Sequence, residues 1–374
     1  MQDGPVRGRP LLTHLIEPAA WRAALTEGAV RPPSLESVGF VHLSMPEQVH
    51  LPAERLHPGR RDLVLLAIDP DRLTDAVRME AGVPADPGGT LFPHLYGPLP
   101  VSAVVAVVPY RPPVPVLLPD PDDALARAVA FYVSLPVRRA VGVGDVAGGV
   151  AVLDPDLPHS RDNNKLVLTE PVDLATVESA AAEVAGNAGW PHQAVALMWS
   201  GAEGVAAGLR DRGWNTEELL LMGRPAAPTS GGERAEVVDQ AEVHEFWARS
   251  WRHGLADLGP RLEQVVEQLV AREHLNDRVV AVTDLVVREE GRVVASGQLR
   301  VDGATAAVDS VLTDPGARGR GHADAVLARA IDLAARAGCD LVVLEASADD
   351  WPHTWYARRG FRALGSVWVA DRPA

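Results

Sequence analysis

Two proline-dense stretches set the terms on which this chain can fold. Arg111-Pro112-Pro113-Val114-Pro115, continued by Pro119-Asp120-Pro121, cannot run through the interior of a helix or a sheet. Each proline fixes φ and removes a backbone donor. Pro225-Ala226-Ala227-Pro228-Thr229-Ser230-Gly231-Gly232 reads as a second linker by composition. The 374 residues are therefore expected in three parts, 1–112, 113–225 and 226–374, in keeping with about 100–200 residues per domain.

Hydrophobic patterning supplies the elements. In the first part, 11–16, 40–43, 63–68 and 101–108 read as strands. Residues 18–27 read as a helix with Pro18 near its start and Gly28 past its end. The second part is expected to hold helices over 122–134 and 174–185, with glycine-rich strand turns over 142–149. The third part reads as a helix over 260–273 and strands over 279–288, 293–301 and 306–312. A helix over 321–337, a strand over 340–346, a short helix around 354–359 and a last strand near Val367 follow. Strands and helices that alternate throughout imply an α+β, mixed α/β architecture.

Composition excludes several classes of function. A formal net charge of −15 argues against a general nucleic-acid binder held by phosphate contacts. No apolar stretch reaches the roughly 18–20 residues of a membrane helix. Met1-Gln2-Asp3-Gly4-Pro5 lacks a basic segment followed by an apolar one, so a cytoplasmic protein is expected. The single cysteine, Cys339, excludes an intramolecular disulfide and a multi-cysteine zinc site; its place between a helix and a strand reads as packing. Lys165 is the only lysine, so any Schiff base or P-loop lysine would have to be that residue.

The stretch richest in chemistry runs Val311-Leu312-Thr313-Asp314-Pro315-Gly316-Ala317-Arg318-Gly319-Arg320-Gly321-His322-Ala323-Asp324-Ala325-Val326-Leu327. A strand ends in a glycine- and arginine-rich loop that opens an amphipathic helix. That arrangement aims backbone N–H groups and the positive helix end at one point, which suits a diphosphate. Arg318-Gly319-Arg320-Gly321-His322-Ala323 matches the acyl-CoA signature Gln/Arg-x-x-Gly-x-Gly/Ala, and the segment resembles the GCN5-related N-acetyltransferase (GNAT) family. Trp355-Tyr356-Ala357-Arg358-Arg359-Gly360-Phe361 is similar to that family's terminal Leu-Tyr-x-x-x-Gly-Phe, and the resemblance covers about 236–369.

The resemblance implies an acyl-CoA donor, acetyl-CoA or another, held by Leu312, Thr313, Arg318, Gly319, Arg320, Gly321, His322 and Ala323. It implies that Tyr356 protonates the departing thiolate; the lesser alternative is a packed aromatic on a helix. Asp349 stands where the family usually has Asn, and is carried as a cofactor contact. Asp309 and Glu345 are candidates to steer a cationic amine or take its proton, or are ordinary strand carboxylates. The implied reaction is N-acyl transfer to a small amine-bearing acceptor, with no membrane partner and an open oligomeric state.

Two further resemblances concern the rest of the chain. Asp162-Asn163-Asn164-Lys165-Leu166-Val167-Leu168, Trp190-Pro191-His192-Gln193 and Gly208-Leu209-Arg210-Asp211-Arg212-Gly213-Trp214 are similar to the N-terminal halves of tandem GNAT proteins. No Arg/Gln-x-x-Gly-x-Gly/Ala loop precedes them, which implies a degenerate copy that helps build an acceptor cleft. His192 reads as an acceptor contact or as a structural histidine.

Five histidines, His14, His42, His50, His57 and His94, precede the first linker, without the spacing of His-Glu-x-x-His, and no metal is expected. Leu12-Thr13-His14-Leu15, Gly39-Phe40-Val41-His42-Leu43-Ser44, Gln48, Leu65-Leu66-Ala67-Ile68-Asp69 and Phe92-Pro93-His94-Leu95-Tyr96-Gly97-Pro98-Leu99 resemble the DUF952 family over 11–109. That family's fold looks like that of ADP-ribosyltransferases and RNA 2′-phosphotransferases. By that analogy His14, His42 and Ser44 would face a ligand of the NAD type, with His94 and Tyr96 at the rim. Strand alternation puts His42 and Ser44 on one face. Hydrogen-bonded structural histidines are the other reading. The alternative function is thus a nucleotide- or NAD-binding protein whose GNAT half is a sensor or weakly active.

Overall fold

The computed structural model describes residues 10–82, 89–112, 116 and 118–374. Met1–Pro5 and the linker residues Pro113-Val114-Pro115 lie outside the described residues. The chain divides into two compact units, Met1–Phe131 with Asp302–Thr305, and Tyr132–Val301 with Ala306–Ala374.

The first unit runs β1 (Leu12–Ile16), α1 (Pro18–Glu27), β2 (Ala29–Val30), α2 (Pro33–Ser37), β3 (Val41–His42), α3 (His50–Leu56) and β4 (Leu63–Ile68). It continues through β5 (Val77–Ala81), β6 (Leu91–Leu95), β7 (Leu99–Pro100) and β8 (Val104–Tyr110). Three small sheets form, ordered β1-β4-β8, β2-β7 and β3-β6-β5. β4 is Leu-Val-Leu-Leu-Ala-Ile with every residue buried, and a continuous apolar run of this length suits a central strand. α1 starts on Pro18 and ends on Gly28, whose φ of 80° lets its N–H turn back to the Ala24 carbonyl. Trp21 on α1 is fully buried with Leu43, Leu66, Ile68, Leu95 and Leu99 in the core. Two expected strands are shorter than the sequence suggests. A 3-10 turn occupies Val101–Ala103, and strand pairing after β3 shrinks to a bridge between Thr13 and Ser44.

α4 (Ala124–Arg139) outruns its expected end at Ser134. Pro136 sits in its last turn, where the missing N–H costs a single bond. The second unit then runs β9 (Gly142–Val146), β10 (Gly149–Leu153), β11 (Lys165–Leu168), α5 (Leu174–Ala188), β12 (His192–Leu197), α6 (Glu203–Asp211) and β13 (Asn215–Pro225). After these come β14 (Glu236–Val238), α7 (His244–Gly254), α8 (Leu262–Ala271), β15 (Ala281–Glu289), β16 (Arg292–Asp302) and β17 (Thr305–Thr313). The chain closes with α9 (His322–Arg336), β18 (Leu341–Ser347), α10 (Pro352–Ala357) and β19 (Arg362–Pro373). α8 is shorter than expected, with 3-10 turns over Ala256–Arg261 and Arg272–Arg278 on either side.

These strands form one sheet of eleven, among the described residues, ordered β14-β15-β16-β17-β18-β13-β19-β12-β11-β10-β9. β13 belongs in sequence to the middle part of the chain, yet it lies between β18 and β19. It pairs antiparallel with β18 from Leu219↔Ser347 to Pro225↔Leu341, and with β19 on its other edge. β19 in turn pairs with β12 from His192↔Pro373 to Leu197↔Trp368. Each half thus receives a strand from the other, and Pro225 is the last residue of a strand rather than free linker. A proline is tolerated at that end because its missing donor falls where the ladder stops.

Leu221, fully buried on β13, makes this testable. Leu221→Ala is expected to lower stability by about 2–5 kcal/mol, read from the denaturant midpoint. The segment 226–374 expressed without β13 is expected to aggregate, whereas 124–374 should melt cooperatively. A folded, monomeric 226–374 by circular dichroism and gel filtration would show that β13 is dispensable.

Candidate functional site

The loop after β17 opens a cavity of about 880 Å³. Asp314 starts a 3-10 turn, Pro315–Ala317, by accepting the Gly316 N–H at 3.2 Å. α9 then begins from Gly321, whose φ of 77° is left-handed and whose position carries no side-chain cap. No side chain therefore caps the first-turn amides of α9, which carry the positive end of the helix dipole. Leu312, Thr313, Arg318, Gly319, Gly321, His322 and Ala323 all line this cavity, and so does Tyr356 from α10.

Two residues expected there stand elsewhere. Arg320 folds back on the loop, donating to Glu289 Oε2 at 2.8 Å and to the Gly316 carbonyl at 3.1 Å, so it braces the loop. Asp349 is exposed and off the wall, which Asp350 reaches instead. His322 is buried at the wall, its Nε2 2.9 Å from Glu289 Oε1.

Three arginines on the wall escaped the sequence reading: Arg249 of α7, Arg292 of β16 and Arg359 after α10. Arg292 reaches Asp314 Oδ2 at 3.1 Å, and Arg359 lies over the Trp355 ring at 3.9 Å. They are far from the glycine loop in sequence, and only the fold gathers them. α7 itself went unread because charged residues interrupt its apolar positions; Phe246 and Trp247 alone are buried.

A second, smaller cavity of about 100 Å³ is lined by Asp309, Glu345, Arg300, Arg139, Asp162, Lys165 and Tyr132 among others. Arg300, 5% exposed, holds it together: it pairs with Asp309, donates to Glu273 Oε2 at 2.9 Å and to Gln298 Oε1 at 2.6 Å. Lys165 Nζ lies 3.0 Å from Asp162 Oδ1. Glu345 makes no ion pair among the described residues. Solvent reaches it, but the crowding walls and the Asp309 charge outweigh Lys165 and push its carboxyl up to about 8.

The two cavities are coupled through charge. Burial, reinforced by the Asp309 carboxylate, raises the Tyr356 phenol above its ordinary value, so it keeps its proton at neutral pH. Burial raises Tyr132 as well, together with Glu345 and Asp309. Asp309 also shapes the strand. Ser310 has a φ of 53°, rare for a residue with a side chain, and its N–H donates to Asp309 Oδ1 at 2.5 Å.

In the first unit, His14, His42, Ser44 and His94 line one cavity of about 670 Å³. Tyr96 is set back; its hydroxyl donates to Glu80 at 2.9 Å, and Glu80 faces His94 Nδ1 at 3.0 Å. His42 is exposed and Ser44 buried, so the shared strand face does not give them one environment. No group of three or more His, Cys, Asp or Glu able to hold a metal ion occurs among the described residues. His192 is buried, its Nε2 3.1 Å from the Asn164 carbonyl, away from these cavities. No helix among the described residues is long and apolar enough to cross a membrane.

Residues 241–361 match the Acetyltransferase (GNAT) family, and residues 15–107 match the family "Protein of unknown function (DUF952)". The segment that carries the glycine loop and α9 is the one that matches the GNAT family. The chain joins that domain to an N-terminal DUF952 domain. A "Probable glucosamine 6-phosphate N-acetyltransferase 2" from Oryza sativa subsp. japonica is 32% identical over 97 residues, 24% of this chain. The match spans 57% of that relative's length. A functionally unknown conserved protein from Staphylococcus epidermidis ATCC 12228 is alike in fold, with a TM-score of 0.50 at 12% identity. That likeness covers 62% of this chain and 92% of that one. A GCN5-related N-acetyltransferase from Kribbella flavida aligns at 19% identity and a TM-score of 0.46, over 67% of this chain and 96% of its own.

The Glu345 carboxyl has a consequence for stability. Its folded value near 8 lies above the roughly 4.3 of an unfolded glutamate, so between those values the folded state holds a proton that the unfolded state has released. Stability from this group is full below that window and is lost as pH rises through it. Urea midpoints of the wild type are expected to fall relative to Glu345→Gln between about pH 5 and 8. Parallel profiles for the two proteins would remove the shifted carboxyl.

Proposed function

We propose that this chain is a cytoplasmic, acyl-CoA-dependent N-acyltransferase, acetyl-CoA being the donor, acting on a small amine-bearing acceptor. The observation that carries the reading is the convergence of the uncapped α9 terminus, Arg318 and the Tyr356 hydroxyl on one cavity. The open amides and the wall arginines fit a diphosphate. A cytoplasmic setting goes with a CoA thioester, and the net charge of −15 speaks for a cationic small molecule over nucleic acid.

When bound, the donor supplies an activated carbonyl on sulfur. The chain's own residues would do the rest. Glu345 takes a proton from the acceptor ammonium, leaving the free amine to form the new N–C bond. Asp309 is committed to Arg300 and the Ser310 amide, so it orients and charges the cavity. The Tyr356 O–H gives its proton to sulfur as the C–S bond breaks, and the second proton shed by nitrogen as the amide forms returns to the Tyr356 oxygen, so that of the two protons leaving the ammonium one rests on Glu345 and passes to solvent and the other ends on the thiol. Such a transfer needs both groups oriented toward one reacting centre, with Glu345 acting from the inner cavity and Tyr356 from the larger one. We read 113–225 as a degenerate GNAT-like half. It contributes Arg139, Asp162 and Lys165 to the inner cavity, where an acceptor would meet Glu345.

Tyr356→Phe is expected to lower kcat at least tenfold with acetyl-CoA binding retained. Wild-type kcat/KM should rise as pH passes about 8, and Glu345→Gln should remove that limb. An unchanged profile in the glutamine variant would eliminate Glu345 as the base. Arg318→Ala is expected to weaken acetyl-CoA binding about tenfold by calorimetry, the worth of one charge-assisted contact.

A further inference from the structure

The cavity of the N-terminal unit belongs to none of this chemistry, and its walls describe a ligand. We propose that it binds a hydroxylated phosphate ester, the shared chemistry of sugar phosphates and nucleotides. Its volume of about 670 Å³ is that of a small-molecule site.

The polar side chains on the wall fall into two sets. Arg55, His42 and His57 stand with the hydroxyls of Ser34, Ser44 and Thr90. No Asp or Glu lines the cavity among the described residues, and Arg55 brings a positive charge beside the imidazoles and hydroxyls. That is the environment of an anion, and phosphate answers to it. Arg55 lies close enough to His42 for its charge to be felt there.

His14 and His94 form the second set. His14 commits Nδ1–H to the His42 carbonyl at 2.8 Å, and burial keeps the ring neutral, so Nε2 carries a lone pair. His94 is 3% exposed, faces Glu80 through Nδ1, and is held by the Phe40 ring stacked at 4.0 Å. Its Nε2 is buried without a hydrogen-bond partner among the described residues. A buried, unsatisfied ring nitrogen costs free energy that a bound partner would recover. An imidazole acceptor such as His14 Nε2 next to an anion-binding set calls for a hydroxyl donor on the same ligand. Phe92 with Leu51 and Leu56, the last two exposed, give its body an apolar surface.

The test is titration calorimetry on the full chain with ribose, inorganic phosphate, ribose 5-phosphate, ADP-ribose and NAD. Ribose 5-phosphate or the dinucleotides should saturate at least tenfold more tightly than ribose or phosphate alone, and their order separates a sugar phosphate from a nucleotide. Arg55→Ala and His42→Ala, both on exposed side chains, should each weaken binding about tenfold. Arg318→Ala should leave the titration unchanged, which sets this cavity apart from the acyl-donor site. The proposal is overturned if no ester saturates, if both variants bind like wild type, or if Arg318→Ala abolishes the saturation.

Discussion

Backbone pairing along β13 is the constraint on which the second unit rests. A strand inside a sheet must satisfy its donors and acceptors on both edges, and β13 does so only with β18 and β19. The same β19 must pair with β12. Neither half can complete its sheet from its own residues, so the eleven strands act as one body. Buried side chains follow the pairing: Met222 packs with Leu344 and Phe361, next to Tyr356. The exchange therefore fixes the height at which β18 presents Glu345 and the frame on which α10 presents Tyr356.

The kink in β17 makes two cavities out of one strand. Regular alternation would send side chains strictly to opposite faces along β17. Ser310 interrupts it with a backbone conformation that costs on the order of 1–3 kcal/mol, and the Asp309 carboxylate offsets part of this by accepting the Ser310 N–H. Asp309 is left on the inner cavity, while Leu312 and Thr313 line the larger one. Because Asp309 also raises the Tyr356 phenol, a single carboxylate is felt in both cavities. Arg300 supports this arrangement from beneath, and its links to Glu273 and Gln298 carry it into the core.

What the sequence showed was local. A run such as Leu63–Ile68 declares a buried strand through its six apolar residues, and Arg318 to Ala323 declares a loop and helix start through glycine spacing. Arg320 matched the loop pattern, but direction is set by a partner, and Glu289 turned it away from the cavity. Asp349 and Asp350 are adjacent, and one step along the chain decides which reaches the wall. The place of β13 was illegible for a different reason: its neighbours lie more than a hundred residues onward, and no spacing within 215–225 names them. Arg249, Arg292 and Arg359 share that obscurity, as does Glu345, whose proton affinity comes from walls built by many separate stretches of chain.

Lys165, the only lysine of the chain, stands on the inner cavity with its side chain 17% exposed beside Asp162. With arginine in nearly every basic position, the chain offers almost no side-chain amine to an acylating reagent. The same scarcity makes the protein an unusually clean subject for chemical labelling. An amine-directed dye, spin label or crosslinker has one interior address besides the chain terminus, and that address looks onto Glu345 and Asp309. A reporter installed there would sense whatever enters the inner cavity without any engineered site.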